Sequence, residues 1–148
     1  MNPTRSVYRT ADVHQLLAET VRHLADAREF YLHASRSVLD AEIRHAFAFS
    51  AEAQSALLQS LQQSVPAARL DGEQPPSVFA AIAGQFDGRR PQAAARELHA
   101  LDMDLMQRIE ALFANYPDMN VRAALKKHVL TIQRAGDATR RLALRNVA

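Results

Sequence analysis

Residues 13–38 read VHQLLAETVRHLADAREFYLHASRSV. Leu17, Leu24, Tyr31 and Val38 recur every seven residues, and Val13, Thr20, Ala27 and Ala34 fill the alternate positions of the same heptad. Leu16, Val21 and Phe30 widen the stripe, whereas Arg22, Asp26, Glu29, His33 and Arg36 fall on the other side. A repeat of seven is the seam of a helix packed at about 20° to its neighbours. The small Ala and Thr opposite large Leu and Tyr let those neighbours approach closely. The stretch predicts a helix over 11–38 that begins near Thr10, with Asp12 favourable at its positive end.

Three further stretches carry a stripe of the same kind. Over 41–64 it reads Ile43, Phe47, Ser50, Ala53, Gln54, Leu57 and Leu61, with Asp40 as N-cap. Phe49, Ala56 and Leu58 lie off that line, so this helix is apolar over a wide arc and is expected to touch more than two neighbours. Over 92–115 the seam is Leu98, Leu101, Leu105, Ile109 and Leu112, edged by Met106 and Phe113. Over 119–145 it is Val121, Leu125, His128, Ile132, Ala135, Thr139 and Leu142, capped by Asp118. Arg140, Arg141 and Arg145 suit the carboxyl end of that helix, where cations meet its dipole.

Between the second and third stripes the chain changes character, with Pro66, Gly72, Pro75, Pro76, Gly84, Gly88 and Pro91. Inside this segment Ser77 can cap a short helix over 77–87 bearing Val78, Phe79, Ile82 and Phe86. A 24-residue helix is about 36 Å long, and the segment is long enough to travel that distance or to serve a simple up-down bundle. The apolar side of the short helix is expected to cover the outlying residues of the second long helix. The pattern predicts a single all-α domain over 1–148: a four-helix bundle, ferritin-like, with a long crossover that contains a short helix.

Composition agrees: 48% of residues are apolar, with only 4 Gly and 6 Pro, which favours helices over strands. A formal charge of +2 gives no signal for nucleic acid or membrane as partner. The chain has no cysteine, which excludes disulfides and thiolate chemistry. No apolar run approaches the roughly 20 residues that span a bilayer. The first eleven residues carry Arg5 and Arg9 but no apolar core of a secretory signal, so a cytoplasmic location is expected.

Di-metal bundles take a Glu from each of two helices and a Glu-x-x-His from each of the other two, because residues three apart share a helix face. This chain holds one such motif, Glu42-Ile43-Arg44-His45, at the start of the second helix. At mid-helix Glu52 is followed by Ser55, and the last helix has no glutamate, Asp137 being its only acid past the cap. A ferroxidase centre is therefore not expected, and no cofactor is predicted. Iron, manganese or zinc would have to use Glu42 and His45 or a polar cluster in the core. Glu19 with His23, and Glu29 with His33, read as solvated pairs on a helix face.

His128 interrupts an otherwise apolar seam. Asp102 stands near the seam of the preceding helix, Gln54 and Ser50 on the second, and Tyr31 on the first. His128, Asp102, Gln54 and Tyr31 are thus a candidate core polar cluster. It would bind a ligand or metal, or form a hydrogen-bond network that fixes helix register. No Gly-x-Ser-x-Gly, phosphate loop or dinucleotide fingerprint occurs, and Arg89-Arg90 and Arg140-Arg141 are pairs rather than a basic stripe. Met103, Met106 and Met119 are expected to fill core gaps.

Tyr31-x-x-Ala34, the acidic cap at Asp40, Phe47, the ending from Leu57 to Val65, and Tyr116-Pro117 followed by Val121-Arg122 recur in one arrangement. In this the chain resembles an uncharacterised bacterial family of ferritin-like four-helix bundles, a domain of unknown function, over roughly Val13 to Leu142. The resemblance implies a small soluble bundle with no established activity and a link, for some members, to stress physiology. Here the crossover is shorter than in the family, and the acids of the third helix reduce to Asp102 and Asp104, with His99 nearby.

Two functions are therefore expected from the sequence. One is a non-catalytic bundle that acts through protein–protein contact, as a homodimer joined around Phe49 and Leu58. The alternative is a degenerate ferritin-like binder of a metal or small ligand.

Overall fold

Asp40 caps the second long helix three residues after the first one ends, which fixes the first hairpin. In the computed structural model, which describes residues 10–67, 70 and 78–145 (without the side chains of 10, 11 and 142–145), helix α1 spans Thr10–Ser37 and α2 spans Ala41–Ser64. The Asp40 carboxylate accepts from the backbone N–H of Glu42 at 2.9 Å and of Ile43 at 3.1 Å. Such a cap stabilises a helix start by about 1 kcal/mol. Asp118 does the same for α5, Met119–Arg145, accepting from Asn120 N–H at 2.7 Å and from Val121 N–H at 3.4 Å. Between the hairpins lie α3, Val78–Gln85, a 3-10 turn over Pro91–Ala94, and α4, Ala95–Asn115. The Ser77 cap and the prolines at 75 and 76 lie outside the described residues, as does the side chain of Leu142.

The chain is all-helical among the described residues, and its long helices pack as a bundle in which α1 touches α2 and α4, and α5 touches α2 and α4. Cross-helix pairs give the directions. Ser50 meets Thr139 and Ser60 meets His128, so α2 and α5 are antiparallel. Tyr31 meets Asp102 and Glu19 meets Arg108, so α1 and α4 are antiparallel too. Both hairpins turn through three residues, 38–40 and 116–118. It follows that α2 and α4 point the same way.

The seams converge on two apolar clusters. One is built on Leu17, Leu24, Leu57, Leu61, Leu105, Leu112, Val121 and Leu125. The other is aromatic: Phe30, Tyr31, Phe47 and Phe79 with Phe86 packed against them. Ring centroids there stand 5.4 to 6.3 Å apart, the range of favourable edge-on and tilted contacts.

Three expectations need correction. The short helix does not lie over the outlying residues of α2. It packs on α1, with Phe79 against Phe30 and Tyr31. Leu58 is 1% exposed all the same, within the leucine cluster beside Leu61 and Val65. The wide apolar arc of α2 faces mainly α1 and α5, which reach it from different sides, and Phe47 also meets Phe86 just beyond α3. Phe49 stays at the surface while Leu58 does not, so the two do not share an exposed face. Finally, Met103 and Met119 are not core: both are exposed, Met119 by 80%.

Candidate functional site

The seam between α1 and α4 is held by polar pairs as well as by leucines. The Tyr31 ring is fully buried, and its hydroxyl donates to Asp102 Oδ1 at 3.3 Å. The other carboxylate oxygen of Asp102 faces Gly136 of α5, 3.5 Å from where a Cβ would stand. Among the described residues no Lys, Arg or His forms an ion pair with Asp102. Burial without a cation pushes its carboxyl up to about 7, against a smaller opposing effect of the Tyr31 hydrogen bond. The Tyr31 phenol is pushed well above its ordinary range by the same burial and by Asp102.

Gln54 belongs to the same level of the bundle. The pairs Ser50–Thr139 and Ser60–His128 set a register in which it stands opposite the turn around Ala135. Its side chain is buried and Oε1 has no hydrogen-bond partner among the described residues, an arrangement that costs about 1–3 kcal/mol unless something else satisfies it. Three of the four residues picked from the sequence, Tyr31, Asp102 and Gln54, thus share a layer, and the first two touch.

His128 is elsewhere. It lies eight residues before Gly136 on α5, about 12 Å along the axis, and its Nε2 bonds the Ser60 hydroxyl at 2.8 Å. Burial and then Lys127 lower its pKa. Glu42 and His45 are both exposed at the start of α2. Among the described residues no three His, Asp or Glu side chains come together as a metal-holding group.

His23, read from sequence as a solvated partner of Glu19, instead tucks its side chain, 8% exposed, beneath α3. Its ring meets Phe79 edge-on, with centroids 5.1 Å apart. Nδ1 stands 3.9 Å from Asp104, and Nε2 is buried with no hydrogen-bond partner among the described residues. Desolvation lowers its pKa to about 4, only partly opposed by Asp104. The signal was in the sequence: His23 falls seven residues after Leu16 and seven before Phe30, on the edge of the stripe. Glu19 pairs across the seam with Arg108, at 2.9 Å, and Arg108 also holds Asp104 at 2.8 Å. These groups are partly solvated, so the clamp adds little to stability. Farther along the seam, His14 Nδ1 lies 3.2 Å from the Tyr116 hydroxyl.

The opposite side of the hairpin α4–α5 is apolar and open. Met103 and Phe113 on α4, and Met119 and Leu130 on α5, are exposed. Between the helices runs a groove lined by Met106, Ile109, Glu110, Phe113, Leu125, Lys126 and Val129. The Arg122 guanidinium stands 5.1 Å from the Phe113 ring centroid, a cation–π distance. No helix among the described residues is long and apolar enough to cross a membrane. No protein-family model, curated protein or solved structure matches this chain.

Proposed function

We propose that this protein is a non-catalytic ferritin-like bundle that acts in the cytoplasm through protein–protein contact, as a homodimer, in a stress-related role. One observation carries the reading: Met103, Phe113, Met119 and Leu130 are exposed on the α4–α5 hairpin, and Phe113 lines a groove between its two helices with Met106, Ile109, Leu125 and Val129. Exposed apolar side chains grouped beside a groove mark an interaction site. The ferritin-like topology is supported by the parallel directions of α2 and α4, since the chain between them then crosses the length of the bundle. The contact is thereby moved from the Phe49–Leu58 arc of α2 to the other side of the molecule. Sedimentation velocity tests it. Association should appear as concentration rises. A chain still monomeric at roughly millimolar concentration, where an interaction of only ~4 kcal/mol is half populated, would overturn the homodimer.

A second reading rests on Gln54 Oε1, which has no hydrogen-bond partner among the described residues, level with the Asp102 carboxyl, which forms no ion pair among them. In it the core layer holds a metal or a small polar ligand. Elemental mass spectrometry before and after incubation with iron(II), manganese(II) and zinc(II) tests the metal form. Stoichiometric retention that is lost in Asp102→Asn supports it, and sub-stoichiometric metal throughout counts against it.

A further inference from the structure

The exposed hairpin face carries its own charge code. Its groove contains two charged side chains of opposite sign, Glu110 on α4 and Lys126 on α5, at one level of two antiparallel helices. Above and below them the lining is apolar: Met106 and Val129 toward one end, Phe113 toward the other.

Two ways of pairing this face with itself can be compared. A two-fold axis lying across the helices would set α4 against α4, and Glu110 would approach its own copy. An axis running between the helices and along them sets α4 of one protomer against α5 of the other. Glu110 then faces Lys126 twice over, and the register that joins 110 to 126 also brings Leu130 toward Met106 and Arg122 toward Phe113. Only the second arrangement matches charge with countercharge, Met106 with Leu130 and the Arg122 cation with the Phe113 ring, as a self-complementary surface must.

The available area is adequate. Helix α4 has 21 residues and is about 31 Å long; two helices each about 10 Å wide present roughly 600 Å² in projection. A standard interface takes about 800 Å² per partner, which a corrugated surface of that projection approaches.

Resting on the homodimer reading above, we infer that a second copy of this chain docks on the α4–α5 face about a two-fold axis parallel to these helices, with Glu110 of each protomer paired to Lys126 of the other. The apolar flanks supply the attraction, and the two ion pairs fix the axis and exclude the alternative.

Sedimentation equilibrium on the full chain, its Glu110→Lys and Lys126→Glu variants and the double swap tests the arrangement, with circular dichroism to check that each variant folds. Each single change places like charges across the interface twice, so dimer affinity should fall at least ~10-fold. The double swap restores opposite charges and should recover to within about 3-fold. If the wild-type chain dimerises and the single changes leave its affinity unchanged, the contact lies on another face: this inference fails while the homodimer stands. A double swap as weak as the singles also overturns it. A wild-type chain that never associates overturns both.

Discussion

The Tyr31 hydroxyl donates to Asp102 Oδ1 across 71 residues of sequence, and no cation shares that carboxylate among the described residues. The bond ties α1 to α4 with an acid whose ionised form the core disfavours. In the unfolded chain Asp102 releases its proton near 3.8, and in the fold only near 7. The folded state binds the extra proton in between. Its stability should therefore be full below about pH 3.8 and be lost as pH rises toward 7, by about 1.4 kcal/mol per unit at most.

His23 acts in the opposite sense over an overlapping window. Its folded pKa is lowered from 6.5 to about 4, so its contribution is present above 6.5 and lost as pH falls toward 4. The two dependences offset one another in the wild-type chain. Asp102→Asn should expose the histidine, giving a urea midpoint that rises with pH between 4 and 6.5. His23→Phe should expose the acid, giving a midpoint that falls up to about pH 7. Midpoints that move in parallel for all three proteins would refute both assignments.

Tyr31→Phe removes a buried donor while leaving the ring in its aromatic cluster. The loss should be about 1 kcal/mol near pH 6. Because the phenol favours the ionised carboxylate, the Asp102 pKa should rise further. Carboxyl chemical shifts followed by NMR titration of the variant measure that shift, and a lower pKa would contradict the geometry.

Two glycines predict opposite outcomes for the same substitution. A Cβ at Gly88 would run into the backbone carbonyl of Ser37, where the chain after α3 closes on the end of α1. Neither group can step aside cheaply, and Gly88→Ala should cost about 1–3 kcal/mol. At Gly136 a methyl would stand 3.5–3.7 Å from Asp102, in ordinary contact, within a long helix. Gly136→Ala should gain up to about 1 kcal/mol of helix propensity. Thermal unfolding at pH 5, where Asp102 keeps its proton, compares the two.

The Ser60–His128 bond links α2 to α5 near the opposite end of the bundle from the Asp40 hairpin. His128→Ala should destabilise by about 1 kcal/mol, and Ser60→Ala by a similar amount. The double variant should cost little more than either alone, since each single change already breaks the bond. Additive losses in chemical denaturation would mean that the two side chains work independently.

Helix existence, both acidic caps and most of the buried leucines could be read from this chain alone. Heptad spacing decides which side of a helix is apolar, and a carboxylate at the N-cap satisfies the same free N–H groups in any context. Spacing does not say which helix lies opposite. Seam spacing puts Asp102 and His128 in one candidate cluster, yet one meets Tyr31 and the other Ser60, because the cross-helix register sets the partner. His23 and Met119 show the same limit at the edge of a stripe. A residue there is buried or exposed according to what packs beside it: α3 covers His23, and nothing among the described residues covers Met119. Local pattern determined the elements and their inner faces. Only the packed structure decided which polar groups lost their water and which apolar side of the α4–α5 hairpin kept it, since desolvation depends on neighbours far away in the chain.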